Sequence, residues 1–365
     1  MKVGIISMQR INNYGSILQA YALKRLLEIR GHEVGFVDIP LKIGYTPCAE
    51  TKLKRIINRM RKIDKYIIRR LADSKKNKLM KQMFSNEQKK LLNLQNEQMS
   101  EEGYDAIVIG SDEIFNCSSI SVWGIDGKRF GDIPNVSKVV SYAASCGYTN
   151  STDIMNNDDL LEIKSGLQKL ISISVRDKNT FHFVQELSGR NPEINLDPVL
   201  IYDFKHEIDS VSPDCLPNFP YMLIYAYHNR INSDDEIKAI CEFSKDNGLR
   251  TIAIGGALPW CDEFRVLSPF QVLCYFKNAE YIVTDTFHGT IFSVKLNKSF
   301  AVIVRENNAN KLDDLILRLK VDKHKVNNMS ELSGVLNLND NYEEANMIIK
   351  EEIKHTLEYF QKAGL

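Results

Sequence analysis

Four short loops in this 365-residue chain carry the side chains able to move protons or hold an anion. In Thr284-Asp-Thr-Phe-His-Gly289 an apolar run, Tyr281-Ile-Val, ends in polar residues, and Ile291, Phe292, Val294 and Leu296 continue at helical spacing. His288 therefore belongs at the carboxyl end of a strand, beside the amino end of a helix. Backbone N–H groups favour anions there, and open α/β sheets bind ligands at that edge. Thr286, Gly289 and Thr290 surround it. In Ser174-Val-Arg176-Asp177 a short β-branched run delivers Arg176, whose planar fork suits a carboxylate or phosphate. An internal pair with an aspartate, Asp177 being nearest, is the plainer reading. In Gly110-Ser-Asp-Glu-Ile-Phe-Asn116, Asp112 and Glu113 could act as base on a hydroxyl or orient a sugar, or simply cap a helix. The loop Gln9-Arg-Ile-Asn-Asn-Tyr-Gly-Ser16 reads either as a substrate loop or as a turn, with Gly15 giving its geometry and Ser16 capping the next helix.

The elements that must position these loops alternate between strand-like and helix-like, which points to α/β with mostly parallel strands. Residues 2–7 read as a strand. Ser16-Ile-Leu-Gln19 has the form of a capping box, with Leu18, Tyr21, Ala22, Leu26 and Ile29 inward and Gly31 at the end. Further strands are expected at 34–38, 104–109, 138–143, 170–175 and 193–196, a helix at 180–187, and a stop at Asp197-Pro198. Residues 203–219, with prolines at 213 and 217, read as a linker. A second alternating set follows: strand 221–226, a Ser233–Glu236 capping box, strand 250–254, a helix from Ser268-Pro269, strands 281–284 and 300–304, and an amphipathic helix over 342–362. Two Rossmann-like domains facing a cleft result: 1–205 with a basic helical insertion at 50–102, then 206–341, then a C-terminal helix at 342–365.

Composition narrows the function classes. Hydrophobic content of 44%, charged content of 26% and a formal net charge of +0 fit a globular protein and speak against nucleic acid as partner. Seven cysteines without a C-x-x-C pattern argue against a disulfide framework or thiolate zinc site. No metal-binding or serine-hydrolase motif, dinucleotide fingerprint or phosphate loop occurs, so no metal and no bound cofactor are expected. Neither a signal peptide nor a membrane span is readable, so the expected location is cytoplasmic. Between Glu50 and Lys90, fifteen Lys/Arg face four acids, and Ile56, Met60, Ile63, Ile67 and Leu71 recur at helical spacing. That stretch is either a solvated helix or a peripheral contact with the anionic inner membrane face.

Together the loops resemble the polysaccharide pyruvyl transferase family. The carrying segments are Asn13-Tyr-Gly-Ser-Ile-Leu-Gln-Ala-Tyr-Ala-Leu23, Tyr104-Asp-Ala-Ile-Val-Ile-Gly-Ser-Asp112 through Asn116, Ser141-Tyr-Ala-Ala-Ser145, Ser174-Val-Arg-Asp177 and Thr284-Asp-Thr-Phe-His-Gly289. The resemblance implies a GT-B-like fold and transfer of the pyruvyl group of phosphoenolpyruvate to two hydroxyls of a polysaccharide or lipid-linked sugar, giving a cyclic ketal and phosphate. It assigns Arg176 and His288 to the phosphoenolpyruvate site and Asp112 to the active centre. Asn13, Tyr14, Gly15, Ser16, Ser111, Glu113, Ser145, Thr286, Gly289 and Thr290 become the expected substrate-binding set. This chain departs from the common pattern with Glu113 in place of a glutamine, Phe115 in place of a tryptophan, and Asn310-Lys311 where many members carry an arginine segment. The alternatives are a nucleotide-sugar glycosyltransferase on the same architecture and a non-catalytic partner in glycan assembly.

Overall fold

Why the loops can meet is clear from the sheet topology. The computed structural model describes residues 1–39, 63–95, 97, 99–117, 125–154 and 157–365. Ile56, Met60 and the basic residues before 63 lie outside that set, as do the side chains of 63–75. In chain order the first half contains β1 (Lys2–Ile6), α1 (Tyr14–Ile29), β2 (Glu33–Phe36), α2 (Ile63–Leu92), β3 (Ala106–Ile109), β4 (Lys138–Ser141), α3 (Asn157–Lys169), β5 (Ser174–Val175), α4 (Lys178–Ser188) and β6 (Glu193–Ile194). Strands β2-β1-β3-β4 form one parallel sheet. The parallel pair β5–β6 joins it through the bridges Val140–Ser172 and Ala144–Val175. All four residues of β3 are buried, as expected where helices cover both faces.

Two short helices, α5 (Pro198–Ile201) and α6 (Lys205–Asp209), lead to the second half. There β7 (Tyr221–Ala226), α7 (Asp234–Asp246), β8 (Arg250–Gly255), β9 (Glu263–Phe264), α8 (Pro269–Asn278), β10 (Tyr281–Thr284), α9 (Phe287–Lys295), β11 (Phe300–Val302), α10 (Ala309–Arg318), α11 (Leu332–Leu336) and α12 (Glu343–Lys362) follow. Its sheet, β11-β10-β7-β8-β9, is also parallel throughout. This is the GT-B-like arrangement of two Rossmann-type halves. One apolar cluster runs through both of them: Leu18 and Leu23 of α1, Tyr225 of β7, Phe276 of α8 and Phe292 of α9 all belong to it. The Tyr14 hydroxyl donates to the Leu267 carbonyl at 2.9 Å, and α12 returns to the first half, where Tyr359 donates to the Ser141 carbonyl at 2.5 Å. Among the described residues no helix is long and apolar enough to cross a membrane.

Several local expectations need correction. Helix α1 is capped by Asn13, whose side chain accepts the Ser16 amide at 2.7 Å, so Ser16 is not the cap and its hydroxyl is released for another task. Gln19 does not complete a box, because its amide donates to Ser7 and the Ser16 carbonyl. Ile29 is 68% exposed rather than inward, since the last turn of α1 passes beyond the sheet. The strand expected over 170–175 contracts to Ser174–Val175. The stretch 203–219 carries α6 and a 3-10 turn at Pro213–Cys215.

Candidate active site

Every loop singled out by its chemistry leaves the carboxyl end of a parallel strand, and the two sheets turn those ends toward one cleft. Its organising group is a buried carboxylate. Asp197, just beyond β6, accepts from Arg176 Nη1 at 2.8 Å, from Ser111 Oγ at 3.3 Å and from the Val199 amide at 3.0 Å. His288 Nε2 lies 3.5 Å from the same Oδ2, close enough for an ion pair but outside hydrogen-bond geometry. The strand pairing β5–β6 sets Arg176 and Asp197 side by side, and α9 brings His288 in from the other half. Arg176 Nη2 also stands 3.6 Å from Asp112 Oδ1, while Asp112 Oδ2 accepts the Ser16 hydroxyl at 2.7 Å. The Arg176 guanidinium packs 4.2 Å over the Phe287 ring.

Around this centre a cavity of about 340 Å³ is lined by residues of both halves, with Asp112, Glu113 and Arg176 facing Thr286, His288 and Lys311. Lys311 pairs with Glu113 across the cleft, and Glu113 also accepts from Asn116 at 2.8 Å. The amino end of α9 opens on the same space, with Thr286 as its cap accepting the Gly289 amide at 2.9 Å. The site is thus rich in cations and buried donors. Among the described residues, Arg176 Nε and Nη2 and His288 Nε2 have no hydrogen-bond partner. Buried donors are normally satisfied, so three unsatisfied N–H groups on a cleft wall suit an anionic ligand.

A family model described as polysaccharide pyruvyl transferase matches residues 13–307, which include every one of these groups except Lys311. The chain belongs to the polysaccharide pyruvyl transferase family. Solved structures similar to this pyruvyl transferase family member include Arabidopsis thaliana UGT89C1 complexed with UDP-L-rhamnose (13% identity, 100% of this chain and 97% of that one, TM-score 0.47). A putative UDP-N-acetylglucosamine 2-epimerase from Listeria monocytogenes is 12% identical over 98% of this chain and 94% of its own, with TM-score 0.49. The UDP-GlcNAc 2-epimerase from Methanocaldococcus jannaschii is 13% identical over 98% and 100%, with TM-score 0.47. No curated protein matches the chain.

Of the site residues read from the transferase sequence, Asn13, Ser16, Asp112, Glu113, Arg176, Thr286 and His288 line the cleft. Gly15 sits directly beneath the imidazole: a Cβ there would lie 2.1 Å from His288 Nδ1. Ser111 is fully buried and reaches Asp197 from behind. Tyr14 is buried in the seam between the halves. Ser145 is buried with its hydroxyl on Asp177 at 2.6 Å, and Thr290 donates to the Thr286 carbonyl at 3.1 Å. Gly289 packs against Thr284. These last four shape the walls rather than face the cavity. Asp177 is not the partner of Arg176; it caps α4 by accepting the Thr180 amide at 2.8 Å. Asp112 and Glu113 do not start a helix, and Asp112 adopts φ +72°.

Sequence reasoning missed Asp197, which looked like a stop before proline, and Tyr148, Tyr227 and Arg230, which stand on loops without a motif. A signal for Asp197 existed: an acid at the end of the strand next to the one delivering Arg176.

The electrostatics make this centre acid-sensitive. Burial alone would push the Asp197 carboxyl up, but His288, Arg176 and the Val199 amide outweigh it and bring it from 3.8 to about 2. Burial also opposes the charge on Glu113, and Lys311, Asn116 and Arg176 bring it from 4.5 to about 2. Both carboxyls are lowered on folding, so their stabilisation is complete above the ordinary carboxylate range and is lost as pH falls toward about 2. The urea midpoint should therefore drop through that window, and less steeply in Glu113→Gln. Equal slopes for the two proteins would contradict the assignment.

Proposed function

We propose that the cleft transfers the pyruvyl group of phosphoenolpyruvate to a glycan hydroxyl pair, forming a cyclic ketal and releasing phosphate. The observation that carries this is the convergence of Arg176, His288 and Lys311 on one cleft, with donors left open and a carboxylate, Asp112, beside them. Phosphoenolpyruvate presents a carboxylate and a phosphate, and a guanidinium fork, an ammonium and a helix amino end are groups that hold both.

In the proposed reaction His288, in its cationic form, donates a proton to the methylene carbon of the enol phosphate. The adjoining carbon becomes oxocarbenium-like, and a sugar hydroxyl attacks it as Asp112 accepts that hydroxyl's proton. The carbon–oxygen bond to phosphate then breaks, a second sugar hydroxyl takes the vacated position, and its proton leaves with the inorganic phosphate. Two hydroxyl protons are thus accounted for, one replacing that spent on the methyl group and one on the phosphate. Asp197 holds Arg176 and His288 from the far side, so neither need reorganise as charge develops.

The experiment is phosphate release from phosphoenolpyruvate with candidate sugars. His288→Ala should slow it by about 10²–10⁴-fold, the usual size of an acid–base contribution, with Arg176→Ala at least as damaging. A rate within a few fold of wild type in both variants would remove the assignment, and saturable binding of a nucleotide sugar with no response to phosphoenolpyruvate would favour glycosyl transfer instead.

A further inference from the structure

The chemistry above accounts for one wall of the cleft and leaves another without a task. Beyond β7 the chain makes a tight loop in which the Arg230 amide donates to the Tyr227 carbonyl at 3.2 Å. Asn229 and Ile231, on either side of Arg230, both adopt left-handed backbone, at φ +63° and +48°. For a buried β-branched residue such as Ile231 this conformation is costly. The surroundings hold it: Trp260 donates its indole N–H to the Ile231 carbonyl at 3.0 Å, and Asn232 donates to the Asn229 carbonyl at 2.9 Å. The loop's product is that Tyr227 and Arg230 both face the cleft.

Among the described residues the Arg230 side chain has no hydrogen-bonded partner, and its one ion pair there is with Asp285 Oδ2 at 3.7 Å, an oxygen that already accepts Arg305 Nε at 3.1 Å. Asp285 is one carboxylate shared by two guanidinia, and its burial pushes the carboxyl above 3.8 despite both of them. Arg305 has a second partner in Glu236 at 2.5 Å, and Arg230 has none among the described residues. Its guanidinium is partly open, with 27% of the side chain exposed. Tyr227 from one half and Tyr148 from the other line the same cavity, and both belong to the small set of large apolar side chains left exposed, at 36% and 39%. Exposed aromatic faces in a polar cleft suit the apolar face of a sugar ring, and an unbonded guanidinium beside them suits an anion.

We infer that Tyr148, Tyr227 and Arg230 form the acceptor subsite, and that it takes a sugar carrying an anionic group, either a phosphate link or a carboxylate. The inference rests on the pyruvyl-transfer reading for the word acceptor, but the subsite itself stands on its own residues. It gives the charge of the acceptor a guanidinium of its own, distinct from Arg176.

Calorimetric titrations of the full chain in saturating phosphoenolpyruvate test it, with α-D-glucose 1-phosphate, D-glucuronate and methyl α-D-glucoside as probes. At least one charged sugar should bind about tenfold more tightly than the neutral one, the size of one charge-assisted hydrogen bond, and which one does so identifies phosphate or carboxylate as the anion. Arg230→Gln should erase that preference and Arg230→Lys restore part of it, with phosphoenolpyruvate affinity unchanged in both. Tyr227→Ala should weaken charged and neutral sugars alike. No preference for charge, including no binding at millimolar concentration, overturns the inference, as does a loss of phosphoenolpyruvate affinity in Arg230→Gln that exceeds the loss for sugars. If the sugars behave as expected without phosphoenolpyruvate binding at all, the subsite stands and the donor reading falls.

Discussion

Replacing Asp197 with alanine should destabilise the protein by about 3–5 kcal/mol, the cost of stranding a buried charge. Arg176, its side chain 2% exposed, would lose its 2.8 Å partner and keep Asp112 at 3.6 Å. Loss of the cap on α5, where Asp197 accepts the Val199 amide, adds about 1 kcal/mol. Asp197→Asn keeps the shape and the cap but not the charge, so it should lose less stability while activity still falls, because the imidazole and guanidinium are no longer held by one oxygen. Urea unfolding of the two variants checks this. A destabilisation below about 1 kcal/mol in Asp197→Ala would place the pair among those that contribute little.

Gly15→Ala should cost activity far more than stability. The added carbon would fall 2.1 Å from His288 Nδ1 and 2.4 Å from Cγ, so the ring has to move. Displacement of a reacting group by about 1 Å costs roughly 10²-fold in rate. Overpacking a buried ring costs about 1–3 kcal/mol, and the helix preference of alanine, about 1 kcal/mol at most, offsets part of it in the first turn of α1, so the unfolding midpoint should fall only modestly. Phosphate release and thermal unfolding on the same preparation read both effects. A fully active Gly15→Ala would mean that the imidazole works from another position.

How much of this was legible in the sequence depends on the range of the forces involved. Local chemistry was readable: Ser233 with Glu236 forms a capping box as its spacing says, and Ser268 caps α8 with Pro269 opening it. Strand ends carrying His288, Arg176 and Asp112 were readable too, because buried runs that break into polar residues have few other uses. Partnerships were not. Arg176 and Asp197 are 21 residues apart and meet only because β5 pairs with β6 in parallel. Glu113 and Lys311 are 198 apart and meet only across the cleft. Ser16 shows why local reading can mislead: its spacing to Gln19 suits a cap, yet Asn13 captures its amide and Asp112 its hydroxyl. The role of Gly15 could not be read either, because what forbids a side chain there is an imidazole from the other half of the molecule.

A crystal soaked with phosphoenolpyruvate or an inert analogue decides whether this cleft holds phosphoenolpyruvate between its two halves. The ligand should lie within hydrogen-bond distance of Arg176, His288 and Lys311, with Lys311 drawn from Glu113 toward the ligand's anion. A ligand bound elsewhere, or an empty cleft with the Lys311–Glu113 pair undisturbed at saturating concentration, would contradict it.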